Sequence, residues 1–347
     1  MPRSPRYRRS ASLVFYWDEG RLVAHNYRTG KRMAVDPELV PFLHELEHIE
    51  TPARTAAALL RHTLLEPGDS KGATAGVGWP AWGTLASAFH FGTKDLPFST
   101  DPRKSERRLA RLARRVPMPA PVKRSPSNAG VTKLPAPVAG GEFVDTLLDR
   151  RTWRDFARRP VPLREVATLL KLTWGVQRRG MARGQGPIVL KTSPSAGACH
   201  PGEVYLMALR VAGLASGIYH YEADRHSLAL VKPRAIPADI ARYLPGQAWY
   251  RRAAALFLMT AVFEREQWRY STPRAYRAVL LDAGHLCQTF CLTASWLKLA
   301  PFCSMALADS AIERDLGIDG VSEGVLYAAG IGSRPAAGWR PGVPGLR

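Results

Sequence analysis

Three guanidiniums and a hydroxyl stand within five residues at Arg150, Arg151, Thr152 and Arg154. Arg presents a planar fork that matches phosphate bidentately, and Thr adds a neutral donor. This pattern suits a phosphorylated cofactor; read alone, it also describes an ordinary basic helix end. A second cluster is Thr192–Pro201, with Pro194, Ser195, Ala196 and Ala198 around Gly197. Small residues let backbone approach a flat ligand closely. His200 precedes Pro201 and is expected to be extended. The alternative reading is a surface turn. Ser195 lacks a G-x-S-x-G context, so a hydrolase elbow is not expected.

A third cluster begins at Arg269-Tyr270 and continues through Tyr276-Arg277, Asp282, Gly284-His285 and Gln288. Tyr270 suits a general acid or base if its pKa is shifted; otherwise it caps a core edge. Gln288 lies on a mostly apolar helical pattern and, if buried, requires a partner. Two further patterns fail. His285, Cys287, Cys291 and Cys303 do not have zinc-site spacing, and Cys serves well as a small core residue, so no metal is expected. Gly330-Ile331-Gly332 opens like a dinucleotide fingerprint, but Pro335 stands where the third Gly belongs.

The chain that positions these groups has 347 residues, 46% of them apolar and 22% charged. Such a length accommodates about two domains, and the composition is that of a packed globular protein, not a disordered one. No apolar run reaches the ~18 residues of a membrane span. Arg8-Arg9 mimics a twin-arginine signal, but the following apolar stretch stops at Asp18-Glu19. That is short of the roughly 7–15 residues a signal requires, and a cytoplasmic location is expected. Four Cys argue against a disulfide scaffold. The net charge of +20 divides equally between residues 1–141 and 142–347. Its densest block, Arg103–Arg124, reads first as a solvated helix face and second as a surface for nucleic acid or an acidic peptide.

Ser12–Trp17 and Arg21–Tyr27 flank Asp18-Glu19-Gly20 and predict a β-hairpin. Asp36-Pro37 and Thr51-Pro52 are helix starts, the second leading into Ala56–His62. Two strands and two short helices predict a small winged-helix-like unit, assigned to residues 1–115. Gly68–Gly83 reads as a loop and residues 104–115 as a basic helix. The Pro-rich segment 116–141 reads as a linker. Residues 142–347 read as an α+β domain: helices Phe143–Asp149, Leu163–Thr173 and Arg274–Lys298, and strands Val204–Leu209, Ala254–Val262, Phe302–Ala306 and Val325–Ile331.

Taken in order, these motifs resemble the SagB-type (thiazole/oxazole-forming) dehydrogenases of the flavin-dependent nitroreductase superfamily. The resemblance rests on SASLVFYWDEGRLVAHNYRTGKRM, AFHFGTKDLPF, LPAPVAGGEFVDTLLDRRTWRDF, PSAGACHPGEVY, AYRAVLLDAGHLCQTFCLTA and LYAAGIG. It implies a nitroreductase-like FMN-binding domain, a central mixed sheet with helices, that forms a homodimer with each flavin at the subunit interface. Arg150, Arg151 and Thr152 would hold the phosphate and ribityl end, and Arg154 would approach the pyrimidine edge. Pro194, Ser195, Ala196 and Ala198 would contact the ring from the second subunit. Gln288 would lie near the site, the strand Ser304–Leu307, with Ala306 and Leu307, would offer N–H groups near N5, and Arg334 would assist the phosphate.

The implied activity is oxidation of an azoline to an azole in a precursor peptide, with a cyclodehydratase as a partner. In that family a Lys-Tyr pair is associated with catalysis. Here it is Arg269-Tyr270, and Arg cannot act as a base at neutral pH. Thr289 likewise replaces a common Asn. The departure keeps a second reading open: a flavoenzyme of this fold acting on another amino-acid-derived group or on a nitro or quinone compound. A third is a basic winged-helix protein on nucleic acid, whose binding would fall steeply with salt.

Overall fold

The computed structural model describes residues 7–45, 53–67, 79–96, 101–116, 121, 134–137, 140–182 and 186–339. Near the N-terminus, β1 (Tyr7–Arg9) precedes a meander of β2 (Leu13–Asp18), β3 (Arg21–Asn26) and β4 (Lys31–Ala34). The predicted hairpin is present, and Glu19 and Gly20 both adopt positive φ, as a tight two-residue turn requires. Helices α1 (Leu39–Glu45) and α2 (Ala53–Arg61) follow, and β5 (Leu65–Pro67) returns to pair with β1. Thr51-Pro52 and most of the predicted linker lie outside the described residues.

Trp79 to Gly83, expected in a loop, instead opens helix α3 (Trp79–Gly92), which bends at Gly83 (φ 73°). Trp79 and Trp82 are buried and explain the difference: their rings pack on Phe263 and Tyr276, from the other half of the chain. Helix α4 (Pro102–Arg115) is the predicted basic helix, with its described side chains exposed.

The remaining elements are α5 (Glu142–Asp149), β6 (Val161–Pro162), α6 (Leu163–Thr173), β7 (Arg178–Ala182), β8 (Gly186–Leu190), β9 (Gly202–Ala208) and β10 (Val211–Ala212). Then come β11 (Gly217–Glu222), β12 (Ser227–Pro233), α7 (Pro237–Tyr243), β13 (Ala255–Val262), the single-turn α8 (Glu264–Gln267) and α9 (Ala275–Trp296). The series closes with β14 (Leu299–Ser304), α10 (Asp309–Leu316) and β15 (Glu323–Ser333). The six-stranded sheet has the order β12-β11-β9-β13-β15-β14. It was expected to be mixed; every pairing in it among the described residues is antiparallel. Short connections such as β9 to β11 and β11 to β12 join neighbours directly, which demands that sense.

Side chains alternate across a strand. Leu206, Phe257 and Met259 therefore meet α6 and α9 through Leu170 and Phe290. Met207, Leu256 and Leu258 meet α7 and α10 through Ile240 and Ile312. Burial on both faces explains why β13 is a continuous apolar run and not an alternating one.

Candidate functional site

The segment from Arg150 to Ala157 is irregular but pinned. Trp153 N–H donates to Pro301 O (2.9 Å), and Ala157 N–H donates to Ser333 O (2.9 Å). Trp153 and Phe156 are buried beneath it. That anchoring leaves the intervening polar side chains on the open side. Arg151 turns back to its own backbone, donating to Leu148 O (2.7 Å) and Arg150 O (2.8 Å), and lies over Trp339. Arg334 is engaged with Asp149 (3.0 Å), Leu299 O (2.9 Å) and Ser295 O (3.3 Å), and lies over Trp153. Half-buried Arg150 and exposed Arg154 make no side-chain hydrogen bond among the described residues. Two guanidiniums with open donors, held on a rigid strip, fit a phosphorylated cofactor.

Strand β14 ends at Ser304, two residues short of the predicted strand end, and begins three residues earlier. Ala306 and Leu307 thus lie just past the strand, with Leu307 buried. Gln247, which no motif marked, holds this turn. Ser304 Oγ–H donates to Gln247 Oε1 (2.7 Å), and Gln247 Nε2 donates to Ala306 O (3.1 Å). Gln288 is exposed on α9 and needs no internal partner.

The Pro194–His200 loop is bound to α9. Ser193 and Thr289 hydroxyls are 2.7 Å apart, and His285 Nδ1 is 3.3 Å from Pro194 O. His200 N–H donates to Ser195 Oγ (2.9 Å). Gly197, Ala198 and His200 all have positive φ (56°, 54° and 44°). His200 is therefore left-handed, not extended: its two backbone groups are committed, the N–H to Ser195 and the carbonyl to Arg265 (3.0 Å). Such backbone persists only where the surroundings over-determine it.

Arg269 lies against this loop. A Cβ on Gly197 would fall 2.3 Å from Arg269 Nε, so only glycine admits the guanidinium there. Arg269 Nε donates to Tyr270 Oη (3.1 Å), and Tyr270 is 37% exposed. Cys287, Cys291 and Cys303 converge, their Sγ atoms all within 4.8 Å of one another. Cys287 and Cys291 belong to the core between α9 and the sheet. His285, the fourth residue of that sequence pattern, points instead at the Pro194 loop. Gly330 and Gly332 lie within β15, where added Cβ atoms would meet Phe302 (2.4 Å) and Phe156 (2.6 Å). Their role is packing.

A family model for the nitroreductases matches residues 147–333, over half the chain. The chain belongs to the nitroreductase family. It is a flavoprotein oxidoreductase by class, and FMN is its cofactor. A protein of Methanocaldococcus jannaschii assigned to the nitroreductases is 31% identical over 175 residues, covering 50% of this chain and 83% of that one. The trifolitoxin-processing protein TfxB of Rhizobium leguminosarum bv. trifolii is 30% identical over 148 residues. That match spans 41% of this chain and only 39% of TfxB. The structure of the E. coli microcin synthetase McbBCD complex with truncated pro-MccB17 contains a chain of the same fold. Its TM-score is 0.51 at 20% identity, over 72% of this chain and 92% of that one. No described helix is long and apolar enough to cross a membrane.

Proposed function

We propose that this protein is an FMN-dependent dehydrogenase that oxidises azolines to azoles in a precursor peptide and works beside a cyclodehydratase. The observation that carries the reading is Tyr270 at the edge of an open pocket, held by Arg269, which packs against Gly197. The likeness to TfxB supports a role in peptide maturation. Bound FMN supplies the two-electron acceptor. Arg150, Arg151 and Thr152 hold its phosphate and ribityl end, and Arg154 faces the pyrimidine edge. Arg269 holds the Tyr270 hydroxyl in place and orients the substrate carbonyl, without acting as a base.

The functional unit in this reading is a homodimer, with Pro194, Ser195, Ala196 and Ala198 reaching the flavin from the second protomer. Exposed Phe143 and Leu148 on α5 and Leu281 on α9 support such an interface. The winged-helix-like unit of residues 1–115 serves as the docking element for peptide or partner. The test is a visible spectrum of the purified protein followed by incubation with an azoline peptide. Bound flavin and loss of two hydrogens from the peptide by mass spectrometry are expected. Retained flavin, an unchanged peptide and turnover of nitro or quinone compounds would favour the second reading.

A further inference from the structure

A pocket of about 460 Å³ opens beside the strained loop, bordered by Ala196, Glu266, Tyr270, Arg274 and Leu281. Beside its apolar groups, the wall carries Glu266, Tyr270, Thr272 and two guanidiniums, Arg274 and Arg277. Glu266 is 0% exposed, and neither carboxylate oxygen is met by an N–H or O–H donor among the described residues. A carboxylate kept dry without such donors is costly to the fold.

The charged and titratable groups facing Glu266 come from three elements. They are the Cys199 thiol from the loop, the Asp282 carboxyl from α9 and the Arg269 guanidinium that follows α8. Burial pushes the Glu266 carboxyl up to about 7, opposed by the Cys199 thiol, helped by the Asp282 charge and opposed by Arg269. Asp282 is raised as well, chiefly by burial. At neutral pH the Glu266 carboxyl therefore stands between its protonated and ionised forms. Arg269 removes the base expected at its own position, and a second proton acceptor stands one helical turn before it in the same pocket wall.

We infer that Glu266 is the proton acceptor of the Ala196–Tyr270 pocket. This rests on the oxidation proposed above. When an azoline is oxidised, one C–H bond breaks with its electron pair leaving as hydride to the oxidised flavin. The second hydrogen leaves as a proton to the Glu266 carboxylate, and its electrons close the new ring double bond. Glu266 borders the same pocket as Tyr270.

The test uses the FMN-loaded full chain. Infrared difference spectra across pH 5 to 9 are expected to show a protonated-carboxyl band titrating near 7. The band is absent in Glu266→Gln. That variant keeps FMN binding and melting temperature, but oxidises azoline peptide about 100-fold more slowly. It also loses the rise in rate through neutral pH, and Glu266→Asp recovers part of both. A band unaltered by Glu266→Gln, or an unaltered pH–rate profile, overturns the assignment. A wild type that holds FMN yet leaves azoline peptides untouched overturns the substrate class instead, and the infrared titration still decides whether Glu266 exchanges a proton.

Discussion

Trp82 Nε1 donates to the Tyr270 backbone carbonyl at 2.8 Å, tying α3 to the segment that carries the Arg269–Tyr270 pair. The indole is 0% exposed, so its N–H has no water to replace the bond. Trp82→Phe keeps an aromatic ring and removes only the donor. A loss of about 1 kcal/mol in urea denaturation is expected. Trp82→Ala empties the site and costs about 3–5 kcal/mol. Equal midpoints for wild type and Trp82→Phe would show that the tie contributes nothing.

The Arg150 side chain makes no hydrogen bond among the described residues, whereas the Arg151 side chain is tied to two backbone carbonyls. Arg150→Ala is therefore expected to leave the melting temperature of the FMN-free protein unchanged. FMN affinity, read by flavin fluorescence, should weaken by roughly 10- to 150-fold, the equivalent of a charge-assisted hydrogen bond. Arg151→Ala should do less. The reverse ranking would remove Arg150 from the phosphate site.

His90 is buried against Trp79 and Tyr276, with Nδ1 2.8 Å from the Tyr276 hydroxyl. Burial first, then the Lys94 charge, lowers its pKa to about 3. The unfolded chain binds this proton near 6.5. The contribution to stability is therefore complete above about 6.5 and falls as the pH drops from there towards 3. Each such group gives a slope of up to about 1.4 kcal/mol per pH unit in that window. His200, lowered to about 4 mainly by burial, adds in the same direction. Urea midpoints at pH 7 and 4.5 should separate less in His90→Gln than in wild type, with the His200 share remaining. Identical separation would contradict the buried neutral state of His90.

Gly330 sits under the Phe302 ring, where a Cβ would approach Cε1 and Cζ to 2.4 Å and the Ala255 carbonyl to 3.0 Å. Gly330→Ala is expected to cost about 1–3 kcal/mol. Adding Phe302→Leu should recover part of that, because the ring is the nearer obstacle. If the double variant is no more stable than the single one, the backbone contact dominates.

Elements with a strong period could be read directly. Leu163–Thr173 was legible to the residue, because its apolar positions repeat at helical spacing and one face is buried. The β2–β3 hairpin was carried by Asp18-Glu19-Gly20. Strands β11 and β12 were not found: β12 lies at the sheet edge and is largely exposed, so its apolar pattern is weak. Helix α3 was hidden by Gly83 and by the Gly-rich stretch before it; what stabilises it is contact with Phe263 and Tyr276, remote in sequence. The arginines and Arg269–Tyr270 stood out by type and spacing. Glu266 did not, since its environment is assembled from Cys199 and Asp282, each more than ten residues away.

The left-handed backbone at Gly197, Ala198 and His200 has a consequence for ligand choice. Its distortion is installed when the chain folds, held by Ser195, Arg265 and α9. An arriving molecule meets a finished rim and need not reshape it, so the entropic cost of ordering this rim is not charged against affinity. If the flavin of the proposed dimer meets this loop, the fit there is set by shape fixed in advance, not by a rearrangement on arrival.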